Sequence, residues 1–223
     1  MSILVIGNKN YSSWSLRPWL VLKHLGIDFD ERQLQLDTEQ FQSQLALFSN
    51  AGRVPIWIVD QLKIWDSLAI CEYLAEAHPK LWPDEVDERA LARAMVCEMH
   101  SSFNALRNEL PMNCRAEQRQ IDISSEARRD IDRIEQIWQQ CYTHRSSPSH
   151  SEGPWLFGRF GIIDAFFAPV AIRFHGYRLN LTPATKAYVQ LQLDNPLLQQ
   201  WITAGQAEVE IIAHEERGRA DDC

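Results

Sequence analysis

The sequence predicts an α/β N-terminal domain followed by an all-α helical bundle domain. Three observations carry this. The apolar run Ile3–Ile6 gives way to a helical apolar stripe, as in a strand that feeds a helix. Two short apolar runs, 56–59 and 62–65, are separated by only Asp60-Gln61. Beyond Pro79 the chain has almost no strand signal and shows repeated helical stripes.

Taken in order, Ile3-Leu4-Val5-Ile6 is uninterrupted apolar sequence and reads as a strand buried on both faces. Trp19, Leu20, Leu22 and Leu25 form a helical face that stops at Gly26, a residue suited to the position after a helix. Leu34-Gln35-Leu36 alternates and suggests a second strand. Thr38 is placed to cap a helix that carries Phe41, Leu45 and Phe48. The loop 49–53 leads to Val54-Pro55 and then to Ile56–Val59 and Leu62–Trp65, a hairpin with a two-residue turn. Asp66-Ser67 opens a helix with Leu68, Cys71 and Leu74 on one face, ended by Pro79. The order strand, helix, strand, helix, strand, strand, helix is thioredoxin-like (βαβ-ββα).

The expected division is a first domain over residues 1–78, a linker over 79–84 that holds two prolines, and an all-helical domain over 85–223. Asp84-Glu85 begins a long helical stretch through about Leu110, with acids where the helix dipole favours them. Ile131, Ile134, Ile137, Trp138 and Cys141 make a second stripe. Residues 162–174 read as a strongly apolar, central helix, and two further helices are expected near 183–193 and 196–212. Arg145–Pro154 reads as a surface loop and the charged tail from His214 as frayed.

The bulk properties exclude several classes. A formal net charge of -8 argues against nucleic-acid binding, which normally needs a basic face. Five cysteines, an odd number without a C-x-x-C or zinc spacing, argue against a disulfide framework and for reduced thiols in the cytoplasm. No Cys/His cluster suggests a metal. No apolar run approaches the ~20 residues of a membrane span, and the N-terminal apolar stretch is too short for a secretory signal.

The motifs carry a resemblance. YSSWSLRPWL (11–20) resembles the SSCSWRVR-type start of the zeta class of glutathione transferases, the maleylacetoacetate isomerase-like class, and of related bacterial transferases. RVPIWIVDQLKIWDSLAICEYLAEAHP (53–79) resembles the cis-proline and glutathione-binding segment of that superfamily over its whole length. EMHSSFNALRNELPMN (98–113) and FGIIDAFFAPVAIRF (160–174) are similar to the start and the buried helix of its second domain. The resemblance covers nearly the whole chain. It implies glutathione transferase architecture, glutathione as co-substrate without a metal, a homodimer, and a role in detoxification.

It also implies a site. A cis proline after Val54 would turn the Val54 backbone toward a peptide ligand; without the resemblance, a trans loop proline is the ordinary reading. Arg53 would pair with the glycyl carboxylate or else stand as an exposed loop charge. Asp66 and Ser67 form an N-cap in any reading. A helix N-terminus also binds anions, so Ser67 would hold the γ-glutamyl carboxylate and Asp66 the α-ammonium beside it.

A thiolate is favoured by hydroxyl donors and helix N-termini. Of the three serines at 12, 13 and 15, Ser15 is read as the cap, with Pro18 in the first turn. That leaves Ser12 or Ser13 for the thiol, with the resemblance pointing to Ser12. Trp14 stands where the zeta class has cysteine, so no thiol of the protein's own is at hand.

The region of His100, Phe103, Arg107 and Met112, followed by Asn113 and Arg115, would overlook the thiol as an electrophile pocket or serve packing alone. Asp164 resembles the superfamily's buried capping aspartate, with Gly161 where relatives carry Ser or Thr. The expected function is a glutathione transferase that ionises the glutathione thiol for conjugation to a small electrophile. The alternatives are a glutathione-dependent cis–trans isomerase of the maleylacetoacetate type, with Arg107 or Arg115 holding a diacid, and a non-catalytic protein that binds glutathione or hydrophobic ligands.

Overall fold

In a computed structural model that describes residues 2–144 and 153–219, β1 (Ser2–Ile6) is an inner strand of a four-stranded sheet of order β2-β1-β3-β4. β2 (Asp30–Gln33) runs parallel to β1, while β3 (Ile56–Val59) is antiparallel to β1 and to β4 (Leu62–Trp65). Both faces of β1 are covered, as its continuous apolar sequence requires. Leu4 and Ile6 enter the main core, and Val5 joins a smaller cluster with Leu34, Leu45 and Ile56. The two-residue turn of the β3–β4 hairpin falls where expected, with Asp60 at φ 52°.

Strand β2 lies four residues before the alternation that suggested it. It is an edge strand with the polar sequence DERQ, held in place by main-chain pairing of Ile3–Ile6 with Asp30–Gln33. Leu34 and Leu36 follow it. The Leu34 N–H donates to the Ile6 carbonyl (2.9 Å), and Leu36 packs over Gly7 so closely that a Cβ there would lie 2.8 Å from it. The apolar alternation marked packing after the strand. Thr38 does not cap α2 (Phe41–Ala46): Gln40 holds that position, and the Thr38 hydroxyl donates to the Gln35 carbonyl (3.0 Å).

Helices α1 (Ser13–His24) and α3 (Ser67–Ala77) pack together. The connection that follows α3 is a 3-10 turn, Pro79–Leu81, with Leu81 and Trp82 buried in the core. The single long helix expected through Leu110 is two, α4 (Val86–Ser101) and α5 (Asn104–Glu109). They break at Phe103, which is left-handed at φ 64° and keeps its ring buried. Arg107 supports the break by donating to the carbonyls of Ser102 (3.0 Å) and Met99 at the open end of α4.

Helix α6 (Ser125–His144) buries the expected stripe. Central α7 (Ile162–Gly176) is buried at every position except His175 and packs against α1, α4 and α8 (Pro183–Leu193). Asp164 accepts from the N–H groups of Gly161 (3.0 Å) and Leu156 (3.1 Å) and from the Tyr188 hydroxyl (2.8 Å). Burial pushes its carboxyl up to about 7 against those donors. Gly161 is there for space, because a Cβ would lie 2.6 Å from the Leu81 carbonyl oxygen.

Helix α9 (Pro196–Gln206) stops short of the expected Ile212. The chain then turns back across loop 8–12. The Glu208 carboxylate accepts from the N–H groups of Lys9 (2.7 Å) and Asn10 (3.0 Å). Through Arg219 the tail is anchored and not frayed: Glu216 accepts from the Tyr11 hydroxyl (2.6 Å) and pairs with Arg119 (2.8 Å), and Arg219 pairs with Gln120. Most of the expected surface loop, residues 145–152, lies outside the described residues, as does Cys223. Cys71, Cys97, Cys114 and Cys141 are free thiols. Among the described residues, no helix is long and apolar enough to cross a membrane, and no cluster of His, Cys, Asp or Glu is arranged to hold a metal.

Candidate active site

The sheet topology brings the expected residues to one edge. β1 and β4 both run antiparallel to β3, so their C-terminal ends lie beside its N-terminal end. The register places Val5 opposite Ile56, and Ile56 opposite Trp65. The loop into α1, the Val54-Pro55 turn and the start of α3 therefore share one rim. The peptide bond before Pro55 is cis, as is the bond between Trp65 and Asp66. The second cis bond has no sequence signal. Val54 stands half-buried just outside the ladder, and its N–H and C=O have no hydrogen-bond partner among the described residues. Arg53 beside it is exposed.

The three serines divide their roles differently from the sequence expectation. Ser12 is the residue before α1, but its hydroxyl makes no cap; it donates to Ser15 Oγ (2.8 Å). Ser15 Oγ also accepts from the Gly7 N–H (3.2 Å). Ser15 lies inside the first turn and ties α1 to the end of β1, so it is a buried link and not the helix cap. The Ser13 hydroxyl makes no hydrogen bond to a described residue. Loop 8–12 is fixed from behind by the tail. Arg115 donates to the carbonyls of Glu208 (2.7 Å) and Glu210 (2.9 Å) and contacts the Tyr11 hydroxyl.

At α3, Asp66 is the N-cap: its Oδ1 accepts from the Leu68 N–H (2.8 Å), and its Oδ2 lies 3.3 Å from His100 Nε2. Burial works to raise its pKa, but hydrogen bonds from His100 and Leu68 outweigh this and hold the carboxyl below its ordinary value. Ser67 is fully buried, and its Oγ has no hydrogen-bond partner among the described residues.

Trp14, at the start of α1, meets the end of α4 and α5. Its indole meets the His100 ring edge-on at 5.1 Å and has the guanidinium groups of Arg17 and Arg107 at 4.3 and 4.8 Å from its ring centre. Of the residues expected to line an electrophile pocket, His100 and Arg107 reach this cluster. Phe103 and Met112 are core side chains. Arg115 and Asn113 sit on the tail side: Arg115 is engaged there as described, and Asn113 Oδ1 accepts the Arg115 N–H (2.9 Å). Sequence reasoning missed Arg17. Its only signal was a charged residue four positions after Ser13 within an apolar helix face.

Comparison with known proteins bears on the fold and the family resemblance. Residues 11–77 match the family model of the glutathione S-transferase N-terminal domain. A probable maleylacetoacetate isomerase of Caenorhabditis elegans is 38% identical over 98 residues, 43% of this chain and 45% of that protein. The maleylacetoacetate isomerase of Rattus norvegicus is 33% identical over 101 residues, 43% and 46% of the two chains. The aligned region thus spans about half the length of these curated relatives. Among solved structures, a Burkholderia glutathione transferase homologue with bound glutathione superposes with a TM-score of 0.67, 24% identity, and coverage of 93% of this chain and 99% of that one. A glutathione S-transferase from Rhodospirillum rubrum gives a TM-score of 0.66 at 18% identity, covering 99% and 97%.

The fold is that of the glutathione S-transferases, a thioredoxin-like α/β half followed by helices. Residues 11–77 match the glutathione S-transferase N-terminal domain, and the sequence is similar over part of its length to maleylacetoacetate isomerases.

Proposed function

We propose that the chain is a glutathione transferase that binds glutathione along the rim of its sheet and ionises the thiol for attack on a small electrophile. The observation that carries this is the convergence on one rim of an unpaired backbone at Val54, an unpartnered Ser67 hydroxyl beside the Asp66 carboxylate, and an unpaired Ser13 hydroxyl at a helix N-terminus. A peptide needs the first, the γ-glutamyl zwitterion needs the second pair, and a thiolate needs the third. Arg53 reaches the glycyl carboxylate. Ser13 donates to the sulfur, and Ser12, whose proton goes to Ser15 Oγ (2.8 Å), supports it from the residue before the helix. One charge-assisted hydrogen bond of about 1.5–3 kcal/mol lowers the thiol pKa by about one to two units.

His100 and Arg107 face the electrophile, while Phe103 and Met112 support them from the core. Residues 1–78 carry the glutathione site and residues 85–223 the electrophile side, joined by 79–84. The resemblance supports a cytoplasmic homodimer acting in detoxification, and the free cysteines fit a reducing compartment.

A second reading, glutathione-dependent cis–trans isomerisation, is favoured by the isomerases among the sequence relatives. Against it, Trp14 replaces the zeta-class cysteine and Arg115 is engaged with the tail. A substrate panel tests the proposal: halonitrobenzenes, hydroperoxides, isothiocyanates and a maleylacetoacetate analogue, each with glutathione. Conjugation of a halonitrobenzene or isothiocyanate is the expected result. Turnover of the maleylacetoacetate analogue alone would give the second reading, and no turnover of any would refute catalysis.

A further inference from the structure

Arg17 is the most unusual charge in the protein. It is fully buried, and among the described residues none of its three guanidinium nitrogens has a hydrogen-bond partner. It lies between two rings, with its guanidinium carbon 4.3 Å from the centre of Trp14 and 4.7 Å from that of Phe166 on α7. Stacking of this kind stabilises the cation but does not neutralise it. A buried cation with no anion is costly, and such groups are ordinarily paired.

The charged and titratable groups around it do not provide the missing partner. From α3, Cys71 has its thiol pushed up by burial and is neutral. Asp66 is turned to the Leu68 N–H and His100. His100 of α4 meets Trp14 by its ring edge. From α5 and α7, Arg107 and Arg173 add positive charge. Arg173 spends its hydrogen bonds on the carbonyls of Leu110 (2.8 Å) and Pro169 (3.3 Å). The two added arginines make the local field net positive.

Its position gives that field a target. Arg17 follows Ser13 by four residues, so the two share a face of α1, and a helical side chain leans toward the N-terminus of its helix. The contact with Trp14, the neighbour of Ser13, bears this out. We propose that Arg17 is the buried counter-charge of the bound glutathione thiolate, acting through the protein interior and not by contact. This rests on the glutathione reading above and adds a positioning residue to it. A buried charge needs no access to the ligand. As a general scale, a unit charge about 10 Å from an ionising group in an effective dielectric of about 20 shifts its ionisation by on the order of one pH unit. The alternative is a purely structural pin between α1 and α7.

The test is the ultraviolet thiolate absorbance of bound glutathione, titrated with pH in wild type, Arg17→Met, Arg17→Gln and Arg17→Lys. The neutral variants are expected to raise the thiol pKa by about one unit with little change in glutathione affinity. Arg17→Lys is expected to behave like the neutral variants, because a buried ammonium without a counter-charge gives up its proton where a guanidinium does not. An unshifted thiol pKa in any folded variant would overturn the proposal, and Arg17→Lys, the smallest change, decides alone if the other two do not fold. If wild type neither binds nor ionises glutathione, the glutathione reading fails first, and this result is distinct from failure of the Arg17 proposal.

Discussion

His100 Nε2 lies 3.3 Å from Asp66 Oδ2, so the first long helix of the helical half reaches back to the residue that caps α3. One carboxylate thereby serves three purposes. It caps α3 through the Leu68 N–H, it joins the two halves, and it presents negative charge beside the Ser67 hydroxyl.

Replacing Asp66 by Asn separates these purposes. Asn is as good a cap as Asp, so neutral-pH stability should fall by no more than about 1 kcal/mol. Glutathione affinity should weaken more than tenfold by calorimetric titration, because the ammonium loses its counter-charge. The pH dependence has a definite sign. The folded pKa of Asp66 is depressed, so its stabilisation is present above the unfolded carboxylate value, 3.8, and is lost as pH falls through the folded value. Urea midpoints of wild type and variant should converge only in strong acid. Unchanged affinity would place the γ-glutamyl end elsewhere.

Ser15→Ala removes the acceptor for the Gly7 N–H and for the Ser12 hydroxyl, both buried. Denaturant unfolding should show a loss of about 1–3 kcal/mol. Ser13→Ala, whose hydroxyl has no such partner, should lose less than about 0.5 kcal/mol. Equal losses would contradict the division of roles among the serines.

Gly161→Ser would restore a hydroxyl at the position where relatives carry one, yet its Cβ would lie 2.6 Å from the Leu81 carbonyl oxygen. Steric conflict should outweigh any capping gain, with a net loss of about 1–3 kcal/mol in thermal or urea unfolding. A variant more stable than wild type would show that the connection after α3 yields easily.

Much of this was legible in the sequence because it rests on local chemistry. The hairpin, the Asp66 cap, helix α8 and the apolar α7 each carry their own signal. What stayed hidden depends on partners distant in sequence. β2 is held by pairing with β1 and not by its own polar residues. The break at Phe103 depends on Arg107 bonding back to α4. The tail is ordered because Glu208 and Glu216 find loop 8–12. Ser15 was misread as the cap since the acceptor need of Gly7 cannot be read from a helix-start pattern. Arg17 was not singled out at all, and only tertiary packing shows that it is enclosed.

The most direct test of the account is a pH titration of thiolate absorbance for glutathione bound to wild type, Ser12→Ala and Ser13→Ala. In wild type the thiol should ionise at least about one unit below the ordinary thiol value of about 8.5. Ser13→Ala should raise it by about one unit while the dissociation constant for glutathione changes little, with a smaller rise for Ser12→Ala. A wild-type thiol pKa equal to that of free glutathione, or a depressed one that both variants retain, would contradict the claim that these serines activate the thiol.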